Sequence, residues 1–458
     1  MNNITLEHPD YVGRKAMWRR YRDLYAGGES IREHAGEYLM RRQKEPLEVY
    51  SERLSRVFYE NYAGSIIDWY SATLFRREPV MQFSGGSEAD RSFLHAFAED
   101  CDLQGTTFPD FFRKLFTDAL VFGSSYALID FPTVGQRPMN RAEEDASGAS
   151  RAYLVSYTPE HLINWSVDDR GVLESAVVRS NRLRKPDDGE GWVEETTWVS
   201  YDREEYRIYR ALHRDGKAAE PELVRRGTHA LAAARMVPLL EMRVPEGLWL
   251  MNKAAMLQLE HFNKSNALAW AIHMGLFAMP VVYSDKEWDS IVGESYYVQM
   301  GPNDRFGWTE PEGKVFQIAA DNLMRLKDEI YRICYLLNQA GSAESGMAQS
   351  GLSKLRDYTI TQEVLRAFGD FVKDSMKRVL RAVAAARRDE VQVDISGLDE
   401  FDIADFTTDL QNAAQLLALG IESPTLKKQI YTRLAQKYLC DSRQQIKEQV
   451  AAEIQASA

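Results

Sequence analysis

The 458-residue sequence predicts an α+β fold that is mainly helical. Three observations predict it. Apolar residues recur at helical spacing near the start, in the middle and over the last third of the chain. Between about 150 and 212, short segments alternate apolar and polar residues and are separated by turn formers. A slack stretch, GSAESGMAQSG (Gly341 to Gly351), separates two well-formed helical patterns.

The first ~80 residues read as helices. MWRRYRDLYAG and ERLSRVFYENYAGSIIDWYSATLF carry apolar residues at helical spacing, including Val57, Tyr62, Ile66, Trp69 and Leu74. Phe108 to Val121 is another helix, with Pro109 well placed near its start. SYALIDFP, Ser125 to Pro132, has a buried-strand pattern, and TVGQRPMNRAEEDASGAS after it reads as a polar loop. RAYLVSYTP, HLINWSV, ESAVVRSNRLR, WVEETTWVSYD and EEYRIYRAL each suit a strand. Together they read as an antiparallel meander with one solvated face.

From Leu248 to about Leu276 the chain is helical, with Leu257, His261, Ser265, Leu268, Ile272 and Leu276 on one face. MPVVYS, SYYVQMGP and KVFQIA then read as short strands, punctuated by Gly301, Pro302, Gly307 and Gly313. Asp321 to Ala340 reads as a helix through Leu323, Leu326, Ile330, Ile333 and Leu337. A longer one runs from about Ser353 to Arg388, roughly 50 Å at 1.5 Å per residue. Leu355, Ile360, Val364, Phe368, Phe371, Val379 and Val383 mark its apolar side. A strand, VQVDIS, and helices from about Phe406 follow. A small β insert between two helices of similar length suggests a stalk with a β tip.

Composition narrows the function classes. With 45% hydrophobic residues the chain can bury a sizeable core. A net charge of −12 argues against tight, sequence-reading nucleic-acid binding, which rests on phosphate neutralisation. Cys101, Cys334 and Cys440 are far apart, so neither a metal-ligand pair nor a disulfide framework is expected. MNNITLEHPD lacks the basic and apolar regions of a secretory signal. Ala267 to Tyr283 is the longest apolar run. It is short for a membrane span and contains His273 and Pro280, so a buried helix leading into a strand is expected.

No phosphate loop, dinucleotide fingerprint, zinc-protease motif or nucleophile elbow is present. Gly346 to Gly351 is glycine-rich but lacks the lysine of a phosphate cradle. His261 and His273 on the 248–276 helix read as packing or interface residues. Glu143-Glu144-Asp145 reads as a solvated patch, and doublets such as Arg76-Arg77 as ordinary surface. Arg325, Lys327 and Arg332 lie on the helix that leads into the slack stretch. Pairing with Asp321, Asp328 and Glu329 is the ordinary reading for them. No catalytic residue, metal or cofactor is expected.

Several strings, in order, resemble the portal proteins of tailed bacteriophages. They are LFTDALVFGSSYALIDFP, RAYLVSYTPEHLINWSV, QLEHFNKSNALAWAIHMGLFAMPVV, GPNDRFGW, GSAESGMAQSG and LSKLRDYTITQEVLRAFGDFV. The resemblance implies a funnel-shaped ring, normally of twelve identical subunits, at one capsid vertex of a virion assembled in the host cytoplasm. It implies a wing over 1–247, stem helices at 248–278 and 320–340, and a clip over 279–319. A tunnel loop at 341–352, a spine helix and returning wing strand at 353–404, and a short helical crown at 405–458 would complete the subunit. An extended barrel beyond the crown is not expected.

The implied role is structural and non-enzymatic: a channel for packaging and ejection of double-stranded DNA. The implied partners are a terminase motor, a head–tail adaptor, and major capsid and scaffolding proteins, without membrane insertion. Ser342, Glu344, Ser345, Met347, Gln349 and Ser350 would then line the DNA channel, with Arg325, Lys327 and Arg332 as further lining residues. Leu257, Leu268, Leu326 and Ile333 would be covered by neighbouring subunits rather than within one chain. Glycine lowers the cost of backbone rearrangement, and serine touches phosphate without gripping it. Two alternatives stay open: an enzyme with a site of dispersed residues, and another oligomeric scaffold or membrane-associated protein using Ala267 to Tyr283.

Overall fold

A computed structural model of the chain describes residues 3–132, 148, 151–185, 191–214, 217–276, 279–283, 303, 305–309, 313–336, 351–398, 406–439 and 444–456. It is an α+β fold in which helices carry most of the described residues and strands form several sheets. Two compact units are present. One comprises 1–22, 65–252 and 355–458; the other comprises 23–64 and 253–354.

The opening helices are α1 (Pro9–Ala26), α2 (Gly28–Glu33), α3 (Ala35–Tyr38), α4 (Leu47–Ser55) and α5 (Tyr62–Leu74). The expected single helix through 52–75 is therefore broken at 56–61. Asn61 is the reason. Its Oδ1 accepts from Gly64 N at 2.9 Å, while its Nδ2 donates to Tyr25 O at 2.7 Å. A side chain at 64 would meet the Asn61 amide at 2.6 Å, so glycine leaves room for this cap at the start of α5.

In the larger unit, α7 (Phe108–Phe122) follows β1 (Val80–Gly85) and α6 (Glu88–Glu99). Thr107 Oγ1 accepts from Asp110 N and starts α7, with Pro109 in its first turn. Phe108, Phe112 and Phe116 repeat at four-residue spacing and are fully buried. Phe116 meets Phe368 edge-on at 5.2 Å, and Tyr70 meets Phe368 at 5.6 Å. Each such ring contributes about 2–3 kcal/mol by burial.

Phe368 lies on the helix Gly351–Arg387, whose last three-quarters pack through Val364, Leu365, Val372, Val379 and Val383. Ile360, expected on the apolar side, is exposed. A Cβ at Gly369 would lie 1.9 Å from the Leu398 carbonyl, so glycine lets that backbone rest on the helix. The strand between them, Val391–Ser396, returns to pair antiparallel with β1, from Val80↔Ser396 to Gly85↔Val391.

The strands divide between two larger sheets. Ser124–Asp130, Tyr153–Tyr157 and Leu239–Arg243 form a three-stranded sheet with Ser124–Asp130 at its centre. RAYLVSYTP therefore belongs here and not to the meander. The meander is Leu162–Val167, Leu173–Arg184, Val193–Asp202 and Glu205–Arg214, with Lys217–Ala218 and Glu222–Thr228 both against Glu205–Arg214. Tyr126, Leu128 and Leu239 from the first sheet cluster with Leu162, Ala176, Val178 and Tyr201 from the second.

The smaller unit holds the helix Leu250–Leu276 from Lys253 onward, α8, and the antiparallel pair Met279–Tyr283 and Arg305–Thr309. It also holds the helix Gly313–Ile333, α9. KVFQIA is thus not a strand. It forms the first turns of α9, which begins ahead of the expected Asp321. The helix ends at Ile333 rather than Ala340, and Tyr335 follows with a left-handed φ of 64°. SYYVQMGP lies outside the described residues. So do most of the 133–150 loop and the stretch 341–350. Three helices, Phe406–Ala418, Pro424–Tyr438 and Gln444–Ala456, complete the chain.

Candidate functional site

The paired helices of the smaller unit contain most of the describable site candidates. α8 and α9 run antiparallel: Lys253 Nζ donates to Tyr335 Oη at 2.6 Å, and Lys264 Nζ to Asn322 Oδ1 at 3.0 Å.

The buried face of α8 differs from the expected one. It runs through Ala254, Gln258, His261, Phe262, Ser265 and Asn266. Leu257 and Leu268 are half-buried and Ile272 is exposed. Three carboxamides explain the offset. Gln258 accepts from Ala63 N at 3.1 Å and donates to Glu60 O at 2.7 Å. Asn263 accepts from Met40 N at 2.8 Å and donates to Tyr38 O at 3.0 Å. Asn266 accepts from Phe58 N at 3.1 Å and donates to Phe58 O at 3.0 Å. Each amide thus offers both its donor and its acceptor to loop backbone or to the open ends of α3 and α5. These residues are absent from the sequence-predicted set; a polar face at helical spacing was their only signal.

Beside this clasp lies a buried ion pair. Arg53 Nη1 donates to both oxygens of Glu45, at 2.8 and 2.7 Å, with side chains 5% and 2% exposed. Arg41 Nη2 donates to the Glu45 carbonyl at 2.6 Å. A cavity of about 230 Å³ opens next to the pair, lined by Leu39, Arg53, Arg56, Asn266, Trp270 and His273. Arg56 Nη1 lies 2.9 Å from His273 Nε2, and its Nη2 lies 3.0 Å from Glu52. A guanidinium only donates, so that contact requires an unprotonated Nε2.

His261 is buried, its ring edge-on to Tyr62 at 5.0 Å and its Nε2 3.6 Å from Glu60. Burial pushes its pKa down, Glu60 opposes that, and Lys327 adds to it. Burial, then Glu60, push the Tyr62 phenol up to about 12. Lys327 lies 5.8 Å over the Tyr62 ring.

Arg332 Nε donates to Glu329 at 2.8 Å, and this bond holds the Glu329 carboxyl below its ordinary range. Arg325 is exposed and adds to the positive field at Glu329. All three expected channel cations are exposed; Arg332 is paired with Glu329 and Lys327 lies over an aromatic ring. Leu326 is 7% exposed within the single chain, which removes it from the set expected to wait for a neighbour. Ile333 is half-buried, like Leu257 and Leu268. Ala267–His273 is likewise half-buried on average rather than buried. Ser342, Glu344, Ser345, Met347, Gln349 and Ser350 lie outside the described residues.

Burial raises the thiols of Cys101 and Cys334, the latter to about 12, which disfavours the thiolate form of both. Among the described residues, no three or more His, Cys, Asp or Glu side chains are grouped to hold a metal ion. No helix among them is long and apolar enough to cross a membrane.

No protein-family model and no curated protein matches the chain. Two of the solved structures similar to it are the following. One is a chain in the virion of a native gene transfer agent particle, at 12% identity and a TM-score of 0.41, covering 79% of this chain and 87% of that one. The other is a chain in the neck of an empty gene transfer agent particle computed with C6 symmetry. There the identity is 13% and the TM-score 0.42, over 79% of this chain and 88% of that one.

Proposed function

We propose that the chain is a structural, non-enzymatic component of a phage-type virion, and more narrowly a portal subunit. Twelve copies would form a ring at one capsid vertex, through which double-stranded DNA enters during packaging and leaves during ejection. The observation that carries this reading is the order of elements. An antiparallel meander precedes α8, a two-stranded hairpin and α9, and a 37-residue helix follows them. The strand after that helix then pairs with β1, hundreds of residues back. This order supports the wing, stem, clip, stem, spine and crown divisions that the resemblance implies.

The stretch 341–352 would be the yielding collar, with Ser342, Glu344, Ser345, Met347, Gln349 and Ser350 toward the DNA. A wall without strong cations lets a duplex pass, because each phosphate neutralised adds affinity that must be undone. The Arg332–Glu329 pair supports such a wall, and the acidic net charge disfavours sticking. Work of translocation would come from a separate terminase ATPase. The hairpin region would dock that motor and the head–tail adaptor, and the outer parts would meet capsid and scaffolding proteins.

Electron micrographs of the purified protein test this reading. Rings with a central hole and cyclic symmetry are expected. A monomer at every concentration and ionic strength overturns it.

A further inference from the structure

The meander of the larger unit has a basic end that the proposed function does not use. Its strands Leu173–Arg184, Val193–Asp202 and Glu205–Arg214 pair antiparallel without a register shift. Ser180, Thr197 and Arg210 stand opposite one another across the three strands, and Arg182 stands opposite Glu195 in the next row. Opposed residues share a face, as do alternate residues along a strand, so all five project from one side, with Arg184 beyond them. Glu195 is the hub. Its side chain is 1% exposed; Arg182 Nε donates to it at 2.6 Å and Arg184 Nη1 at 3.2 Å. Burial opposes its charge, yet the two arginine bonds and the field of Arg182 and Arg210 hold the carboxyl below its ordinary range. One carboxylate thus gathers three guanidinium groups and balances one of them.

Arg210 is the group left over. It is half-buried, its Nε is sealed from solvent without an acceptor, and no hydrogen bond or ion pair joins it to another described residue. A buried donor without an acceptor is unfavourable, because the water it loses is not replaced. The Ser180 and Thr197 hydroxyls in its row likewise bond no other described group. Glu222, opposite Arg210 on the edge strand, is exposed and forms no ion pair with it. Arg182 commits Nε and Nη2 to Glu195, which leaves the Nη1 donors over. We infer that this face binds a phosphate group, seated on the Ser180–Thr197–Arg210 row beside the Arg182 guanidinium. Charge and geometry both select that ligand. Arg182, Arg184 and Arg210 outnumber Glu195 and Glu222, a local surplus on a chain that is acidic as a whole. A phosphate group brings about −1.5 to −2 at pH 7. The donors rise from three strands spaced about 4.8 Å apart. Oxygens pointing in several directions meet such donors, which a tetrahedral phosphate offers and a planar carboxylate does not. Free phosphate and a nucleic-acid backbone supply the same group.

Calorimetric titration of the full-length protein with inorganic phosphate, against chloride at equal ionic strength, tests the site. Saturable phosphate binding is expected. Arg210→Gln removes a charged donor and is expected to weaken it by about tenfold or more. Thr197→Val keeps the shape and β-branching of the side chain and removes one hydroxyl, for an expected loss of about threefold. Glu222→Gln removes a nearby negative charge and is expected to tighten binding by about twofold. Circular-dichroism melts check that each variant folds, and Thr197→Val decides the matter if Arg210→Gln does not. Wild-type protein without a saturable phosphate signal overturns the inference. So does binding that the folded Arg210→Gln and Thr197→Val variants leave unchanged. A short DNA duplex titrated in the same buffer separates the two sources. Duplex binding that phosphate competes away and Arg210→Gln weakens assigns the site to a nucleic-acid backbone. Phosphate binding without duplex binding assigns it to the free ion, and either result upholds the site. The readout does not depend on ring formation, so failure here leaves the ring reading standing.

Discussion

The two units are held together in different ways. In the larger one, Phe108, Phe112 and Phe116 meet Tyr70 and Phe368 in a closed apolar core. In the smaller one, α8 turns three amides inward to bind the backbone of residues 38–63, and a buried Arg53–Glu45 pair sits beside them. Its apolar side chains at Val315, Ile318 and Met324 remain outside. The first arrangement completes itself within one chain. The second pairs most of its buried polar groups within one chain, His261 Nδ1 excepted, and leaves several apolar side chains exposed.

Substitutions can break or sharpen this contrast. The largest loss is expected in the aromatic core. Phe116→Ala removes a buried ring and leaves a cavity, which costs about 3–5 kcal/mol in chemical denaturation. Next comes the ion pair. Glu45→Gln strands the Arg53 guanidinium and lowers stability by about 3 kcal/mol. A loss below about 1 kcal/mol there would show that water already reaches the pair.

The clasp follows. Asn266→Ala leaves both backbone groups of Phe58 unserved and costs about 2 kcal/mol, with faster amide exchange at 57–60 as its local signature. Asn266→Leu, equally large and apolar, is expected to fare no better, since the backbone groups and not the volume set the cost.

A smaller effect separates burial from pairing in the larger unit. Burial pushes Asp118 up to about 6, against the pull of Lys114. A carboxyl whose folded value lies above its ordinary 3.8 binds its proton more tightly in the folded chain. Its contribution is intact below pH 3.8 and is lost as pH rises to about 6. Asp118→Asn therefore raises stability at pH 8 by about 1–2 kcal/mol and leaves it unchanged at pH 3. The smallest effect is expected at an exposed position of α9: Ile318→Ser shifts the stability of the unassembled chain by no more than about 0.5 kcal/mol.

Sequence made local features legible and distant ones not. The helix Gly351–Arg387, the strand Val391–Ser396 and the body of α8 follow from periodicity alone. The onset of α9 does not. Val315, Phe316 and Ile318 have strand composition, and only the continuation through Leu323 and Leu326 makes them helical. The break at 56–61 is hidden because Val57 and Tyr62 keep the helical spacing across it. What breaks it is Asn61 locally and Asn266 more than two hundred residues away. The clasp and the Arg56–His273 pocket are equally remote in sequence, so no spacing rule reveals them. The fold class needed only composition and period, whereas the site needed chain crossings that the residues do not announce.

The proposed ring predicts that neighbouring copies cover exposed apolar side chains of the smaller unit. Hydrogen–deuterium exchange on dilute and assembled protein tests it most directly. Assembly is expected to protect residues 313–325 and 266–273 and to leave 108–122 unchanged. Equal protection everywhere, or none at 313–325 in protein shown to be assembled, would contradict it.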